Sequence, residues 1–205
     1  MQKVALAVEG PTDRAAAERI LVSRKLLSDA DKTFVTRGKS GLNKKIEAYN
    51  QAAKRGPWLV MRDLDHDGSG CPVLLRESLL HPSVQVPGMC FRIAVRSLEA
   101  WLLADTASMS DFFKVSEATV PVSPEDLDDP KSALVNVCRK SRSADIRQAM
   151  VPPSGTQWQV GPEYTARVIE YCSRVWNPDA AKGSAPSLAR ALGQIDRLIA
   201  HGSWG

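Results

Sequence analysis

The chain has 205 residues, and 43% of them are hydrophobic while 24% are charged. These proportions are typical of a globular protein and argue against a disordered, fibrous or membrane protein. No apolar run approaches the roughly 18 residues of a membrane-spanning helix. The formal net charge is +4. The excess lies in the last third, because residues 131–205 hold 10 Lys and Arg against 5 Asp and Glu.

Strands and helices alternate along the first hundred residues, judged by apolar runs and helical periodicity. The predicted strands are residues 4–8, 33–36, 58–61 and 91–95. The predicted helices that follow them are residues 12–26, with Thr12 as the N-cap, 42–53, 73–80 and 98–103. Such alternation predicts a Rossmann-like α/β fold with a parallel four-stranded sheet that is flanked by helices.

The composition changes after residue 105. Residues 105–130 carry seven acids against one lysine, and three prolines interrupt them. The rest contains helical periodicity and no convincing strand; the predicted helices are residues 109–113, 131–139, 164–175 and 187–198. We therefore predict two domains, an α/β domain over residues 1–105 and a C-terminal helical subdomain, or cap, over residues 106–205.

The four cysteines are scattered along the chain and lack the paired spacing of a zinc site or a disulfide framework. Reduced thiols are typical of the cytoplasm, which is the expected location. The apolar stretch at the N-terminus ends at Glu9, which argues against a signal peptide.

Acidic residues stand where three of the four predicted strands end, namely Glu9, then Asp63 with Asp65, and Glu99. Ligands of parallel α/β sheets bind beyond the carboxyl ends of the strands. Carboxylates gathered there repel one another and raise each other's pKa, and a hard cation such as Mg²⁺ relieves that repulsion. In an extended strand end, Asp63 and Asp65 would point the same way and hold one cation, and Asp67 would continue the row.

Plainer interpretations of these residues stay open. Glu9 could be an acid that is favoured near a helix N-terminus by the helix dipole. Residues 63–67 could form a solvated turn. Arg96 and Glu99 could form an ion pair at the helical spacing i, i+3. Lys39 stands in a glycine-rich turn that opens a helix. That turn could hold an anion through its N–H groups or be a plain loop, since it lacks the full phosphate-loop pattern.

The order of these motifs resembles the Toprim domain of topoisomerases, primases and OLD-family nucleases. Residues 8–13 (VEGPTD) and 63–65 (DLD) stand at the matching positions, and residues 97–105 (SLEAWLLAD) resemble the L-E-x-x-L element of the nuclease members. The whole chain resembles a group of small bacterial Toprim-like proteins labelled DUF4276. The bulky Leu64 and the following His66 depart from the topoisomerase pattern and favour the nuclease or DUF4276 side.

The resemblance implies a metal-dependent phosphodiester hydrolase, with a role in defence against phage. Asp63 and Asp65 would hold Mg²⁺ or Mn²⁺, Glu9 would be a ligand or a general acid/base, and Glu99 would complete a second metal position.

Two basic residues, Arg96 and Lys39, would offset the charge of a phosphate. A topoisomerase or a primase would need further domains. The tyrosines that a topoisomerase mechanism could use are predicted to lie off the sheet edge; they are Tyr49, Tyr164 and Tyr171.

Nucleic acid, either DNA or RNA, is the expected partner. A face of basic residues in the last third would bind its backbone, unless their charges are simply solvated; they are Lys140, Arg142, Arg147, Arg167 and Arg174. An alternative is a non-catalytic partner subunit of an ATPase, which would dock through an exposed helix around Trp101 or through the basic C-terminal helices. A phosphatase or nucleotide-binding domain is a third interpretation.

Overall fold

Four parallel strands form one sheet in the order β2-β1-β3-β4. The structure is a computed structural model that describes residues 1–67 and 70–204. The strands are β1 (Lys3–Val8), β2 (Leu27–Val35), β3 (Trp58–Asp63) and β4 (Met89–Ala94). The prediction of an α/β fold with a four-stranded parallel sheet is confirmed.

The helices cover both faces of the sheet, and no strand follows β4 in the described chain. The first five are α1 (Pro11–Ser23), α2 (Lys39–Asn43), α3 (Ile46–Ala52), α4 (Pro72–Leu80) and α5 (Leu98–Leu103). The others are α6 (Thr106–Phe113), α7 (Pro130–Arg139), α8 (Ala144–Met150), α9 (Tyr164–Arg174), α10 (Pro178–Ala181) and α11 (Pro186–Ala200).

Three local predictions differ from the structure. Helix α1 is capped at Gly10 rather than Thr12, because Pro11 at its first position is preset for a helix and Asp13 bonds back to the N–H of Gly10. The helix expected over residues 42–53 is two helices, α2 and α3. Strand β2 begins six residues earlier than predicted, since it is an edge strand whose polar residues give no apolar signal.

Alternation along the strands divides the core into two clusters, one on each face of the sheet. In β3, Leu59 and Met61 join the cluster that includes α1, α5, α9 and α11, whereas Val60 joins the cluster with α2, α3 and α4. The first cluster holds side chains from both sides of residue 105, such as Leu21 and Tyr171. The C-terminal helices thus share a core with the sheet, and α1 packs directly against α9.

The expectation of an exposed helix around Trp101 is wrong. Its side chain is 0% exposed, and its Nε1 donates a hydrogen bond to Ser187 Oγ at 2.7 Å. The indole of Trp176 in turn donates to the carbonyl of Trp101. Helix α5 is therefore enclosed by the C-terminal helices and offers no Trp101 surface for a partner.

No helix in the described part of the chain has both the length and the apolar character needed to cross a membrane.

Candidate functional site

The carboxyl ends of β1 and β3 and the start of α5 enclose a cleft of about 520 Å³. Four of the predicted site residues, Glu9, Asp63, Asp65 and Glu99, line this acidic cleft. They reach it because the carboxyl ends of parallel strands share one edge of the sheet. Asp13 and Lys131, which the sequence analysis did not single out as site residues, line it too.

Asp63, the last residue of β3, joins the three elements that form the cleft. Its Oδ1 accepts a hydrogen bond from the N–H of Leu98 at 2.9 Å, and its own N–H donates to Glu9 Oε1 at 3.1 Å. The strand ends of β1 and β3 and the first turn of α5 are thereby held together. The second oxygens, Oδ2 of Asp63 and Oε2 of Glu9, accept no hydrogen bond from the described residues.

Glu99 lies deeper in the same cleft and is only 4% exposed. Its Oε1 accepts a hydrogen bond from the hydroxyl of Tyr164 at 2.9 Å and lies 3.6 Å from Nζ of Lys131. Tyr164 itself is not among the residues that line the cleft, but α9 packs on α1 and its phenol contacts a carboxylate of the cleft. Burial raises the pKa of Tyr164, and the charge of Glu99 adds to that effect.

Asp13 is a site residue that sequence reasoning missed. It lies one turn into α1, is 9% exposed, and its Oδ2 accepts a hydrogen bond from the N–H of Gly10 at 2.8 Å. Burial, together with the charges of Glu99 and Glu9, raises the pKa of Asp13 to about 7. The sequence did offer one signal for Asp13, namely an acid at the third position of a helix that directly follows a strand. The same acid is expected at that position in an ordinary helix cap, so the signal does not identify a site residue.

The other strand-end acids are perturbed in the same direction. Burial raises the pKa of Asp63 well above its usual value, and the charges of Asp13, Glu99 and Glu9 raise it further. Burial also raises the pKa of Glu9. Conversely, the carboxylate of Glu99 raises the pKa of Lys131. Among the described residues, the cleft is lined by five carboxyl groups against two basic side chains, Arg37 and Lys131.

Asp67 and Lys39, both predicted site residues, form a separate ion-pair network beside the cleft. Nζ of Lys39 donates to Asp67 Oδ1 at 2.9 Å and to Asp65 Oδ2 at 3.2 Å. The buried guanidinium of Arg62 also bonds to the carboxylate of Asp67, and it donates through Nε to Asn43 Oδ1 at 2.9 Å. These contacts lower the pKa of Asp67, with Arg62 as the largest cause.

Asp65 lines the cleft as predicted, but the alternation of side chains along an extended strand does not place it there. β3 ends at Asp63, and Asp65 has a left-handed backbone with φ of 51°. Its N–H donates to the carbonyl of Arg96 at 2.7 Å, and Arg96 is also left-handed, with φ of 62°. Arg37, which also lines the cleft, is a third such residue, and the other two in the described chain, Lys25 and Lys114, follow α1 and α6. Non-glycine residues in this region store strain and cluster at functional sites.

The side chain of Arg96 points to a different partner from the one expected. Its guanidinium lies 3.5 Å from Asp128 Oδ1, and it is not among the residues that line the cleft. The i, i+3 ion pair with Glu99 is not formed, since Glu99 faces Lys131 instead. A role for Arg96 toward phosphate stays a prediction.

Within residues 1–67 and 70–204, no group of three or more Asp, Glu, His or Cys side chains is arranged to hold a metal ion by itself. The acidic side chains of the cleft nonetheless offer carboxylate oxygens, and Mg²⁺ and Mn²⁺ prefer oxygen ligands to softer donors. Comparisons with protein-family models, curated proteins and solved structures find no match to this chain.

Proposed function

We propose that the chain is a metal-dependent phosphodiester hydrolase that acts on nucleic acid, with the acidic cleft as its active site. The observation that carries this proposal is the set of buried and half-buried carboxylates, Glu9, Asp13, Asp63 and Glu99, around one cleft. Holding like charges out of water is costly unless a cation compensates them. Perturbed pKa values of this kind are typical of functional sites.

The donor set fits Mg²⁺ or Mn²⁺. Magnesium usually keeps several waters and takes one or two carboxylates together with substrate phosphate. It therefore needs no cluster of three protein ligands. Asp63 and Glu9 are the proposed first ligands, because each has one oxygen fixed by a hydrogen bond and one oxygen free of the described residues. When bound, the metal would polarise a phosphoryl oxygen.

The remaining residues have roles that follow from their contacts. Burial raises the pKa of Glu9, and a raised pKa is the direction that suits a carboxyl group for proton transfer. Lys131 faces the cleft beside Glu99 and would offset charge that develops on a phosphate. Tyr164 fixes the orientation of Glu99, and Lys39 fixes that of Asp65.

The location proposed for this activity is the cytoplasm. All four cysteines are free thiols. Cys71 is half-buried, and the other three, Cys90, Cys138 and Cys172, are buried. Free thiols are the usual state in a reducing compartment.

The test is cleavage of plasmid DNA, single-stranded DNA and tRNA by the purified chain in Mg²⁺ or Mn²⁺. We expect at least one substrate to be cut, and we expect Asp63→Asn to reduce the rate by at least about 100-fold, the scale seen when a group that acts in the transition state is removed. Asp111→Asn is the matched control, since Asp111 is an exposed acid outside the cleft. Equal cleavage by Asp63→Asn and the unaltered chain would contradict the proposal.

A further inference from the structure

A second pocket, of about 260 Å³, lies between the edge strand β4 and the helices α4 and α11. Four arginines line it, Arg76 from α4, Arg92 from β4, and Arg190 and Arg197 from α11. We call it the arginine pocket. No Asp or Glu of the described chain is among its lining residues. Its volume is several times the roughly 30 Å³ that one water molecule occupies in the liquid.

No acid of the described chain lines the arginine pocket itself, whereas Glu125 and Asp126 line a neighbouring pocket that shares Arg190. None of its four arginines forms an ion pair within residues 1–67 and 70–204. Asp196, the acid on α11, instead pairs with Arg24 at 3.2 Å. A group of like charges that partly excludes water is unfavourable unless an anion joins it. The pocket therefore has the charge of an anion-binding site.

Arg92 is the most telling of the four. Its Nε is buried and has no hydrogen-bond partner among the described residues. A buried donor left unpaired costs free energy, and such groups in a folded protein call for an explanation. Burial lowers the pKa of Arg92, and the charges of Arg76, Arg190 and Arg197 act in the same direction. A phosphate bound in the pocket would offset the positive charge that Arg92 shares with its three neighbours.

The spacing along α11 points to a chain of phosphates rather than a single ion. Arg190, Gln194 and Arg197 share one helix face, because they are separated by four and three residues. Seven residues of helix span about 10 Å. A face of this length can contact more than one phosphate of a nucleic acid strand, whereas a single small anion would contact only part of it. Arginine also matches phosphate geometry through two parallel donors.

The arginine pocket lies on β4, which pairs with β3, the strand that carries Asp63 of the acidic cleft. In the register of β3 and β4, Arg92 pairs with Met61, and Ala94 pairs with Asp63. Arg92 thus precedes the level of Asp63 by two residues, which is about 7 Å along a strand. A strand of nucleic acid that lies across β4 would pass near the carboxyl edge of the sheet.

We propose that the arginine pocket binds the phosphate backbone of a nucleic acid strand and holds that strand beside the acidic cleft. This inference rests on the proposed function for the substrate class that it names. Binding in the pocket, however, uses arginine and needs no metal ion.

The test is the binding of a fluorescein-labelled oligonucleotide, as single-stranded DNA, duplex DNA and single-stranded RNA, followed by fluorescence anisotropy in EDTA. Arg190→Gln/Arg197→Gln removes two exposed charges from the pocket. Lys54→Gln/Arg55→Gln removes two exposed charges that lie outside the pocket and outside the basic face of the last third, and it is the matched control. We expect the pocket variant to bind about tenfold more weakly, and the control to change affinity by less than twofold.

The salt dependence gives an independent readout. For a single strand, the slope of log affinity against log salt should fall by about 0.7 for each phosphate that the variant no longer neutralises. Arg92→Met should also weaken binding while its Tm stays at or above that of the unaltered chain, since it removes a buried donor without a partner among the described residues. A loss of affinity in this variant would therefore not reflect unfolding.

Three outcomes would overturn the inference: no measurable binding of any oligonucleotide by the unaltered chain, unchanged binding by the pocket variant, or an equal loss in the control. The proposed function fails separately. If Asp63→Asn and the unaltered chain bind equally in EDTA but neither cuts in Mn²⁺, the pocket inference survives while the hydrolase proposal does not. If the pocket variant still cuts the substrate and binds it as the unaltered chain does, the hydrolase proposal survives while the pocket inference does not.

Discussion

Tyr164 of α9 and Glu99 of α5 are joined by a 2.9 Å hydrogen bond between the phenolic hydroxyl and Oε1, and both side chains are buried. The two residues lie 65 positions apart in the chain. The bond fixes one oxygen of Glu99, while Lys131 approaches the same oxygen from α7. The C-terminal helices therefore form part of the acidic cleft and set the orientation of one of its carboxylates.

Tyr164→Phe tests this orienting role, because it removes the hydroxyl and keeps the ring. We expect the free energy of unfolding to fall by about 1 kcal/mol, the usual net value of such a bond. We also expect the cleavage kcat to fall by about tenfold with little change in KM, since a misplaced Glu99 affects the reaction more than binding. Denaturant unfolding and steady-state kinetics measure the two effects.

Tyr171→Phe is the control for this change, because its hydroxyl makes only long contacts, of 3.4 Å and 3.5 Å, to the carbonyls of Leu102 and Asp105. It should leave kcat unchanged. Full activity in Tyr164→Phe, or an equal loss in both variants, would show that the hydroxyl does not position Glu99.

Asp13 should make the stability of the metal-free protein depend on pH. Its pKa is about 7 in the folded state against 3.8 as the reference value. Between these values the folded state keeps a proton that the unfolded state has lost, so the free energy of unfolding falls as the pH rises from about 4 to about 7. Asp13→Asn removes the charge, and its amide oxygen can still accept the bond from Gly10.

Above pH 7, in EDTA, Asp13→Asn should be more stable than the unaltered chain by on the order of 2 kcal/mol. The difference should shrink as the pH approaches 4. Urea unfolding across this range measures it, with Asp111→Asn as the exposed control. A difference that is the same at pH 4 and pH 8, or an unaltered chain that is the more stable at pH 8, would refute the assignment.

Arg62 should be essential for the segment that carries Asp65 and Asp67. Its side chain is 2% exposed and bonds to both Asp67 and Asn43. Arg62→Met removes the hydrogen bonds of a buried guanidinium and leaves Asp67 with Lys39 alone, and the loss of such charge-assisted bonds costs about 2 kcal/mol. Because the same segment holds Asp65 at the cleft, we expect cleavage activity to fall as well.

Arg174→Met is the matched control for Arg62, because Arg174 is 74% exposed and pairs with Glu170 on the helix surface. Its effect should stay within about 0.5 kcal/mol. Chemical denaturation of the two variants under the same conditions gives the comparison. Similar losses in both would mean that the Arg62 network has no special structural role.

The strand-end acids were predictable from sequence, since Glu9 and Asp63 follow buried apolar runs and parallel strands end at a common edge. The contacts of Asp13, Lys131 and Tyr164 were not, because they depend on how distant helices pack against the sheet. No local pattern records that a phenol in α9 will meet a carboxylate in α5.

Two further features escaped prediction for local reasons. Strand alternation could not place Asp65, because the strand ends at Asp63 and the chain then enters a left-handed conformation. The first half of β2 lacks the apolar signal of a buried strand, because an edge strand can expose polar side chains on both faces. The arginine pocket could not be predicted either, because its four arginines lie on three separate elements.

Thermal unfolding with and without MnCl₂ at pH 7.5, at matched ionic strength, tests the central claim most directly. If Mn²⁺ binds the folded acidic cleft, a concentration of 100 times Kd should stabilise the unaltered chain by about 2.7 kcal/mol. For a chain of this length that is a rise in Tm of roughly 5–10 °C. We predict this rise in the unaltered chain and in Asp111→Asn, and its loss in Asp63→Asn. An unchanged Tm in the unaltered chain, or an equal rise in Asp63→Asn, would contradict a metal site at the cleft.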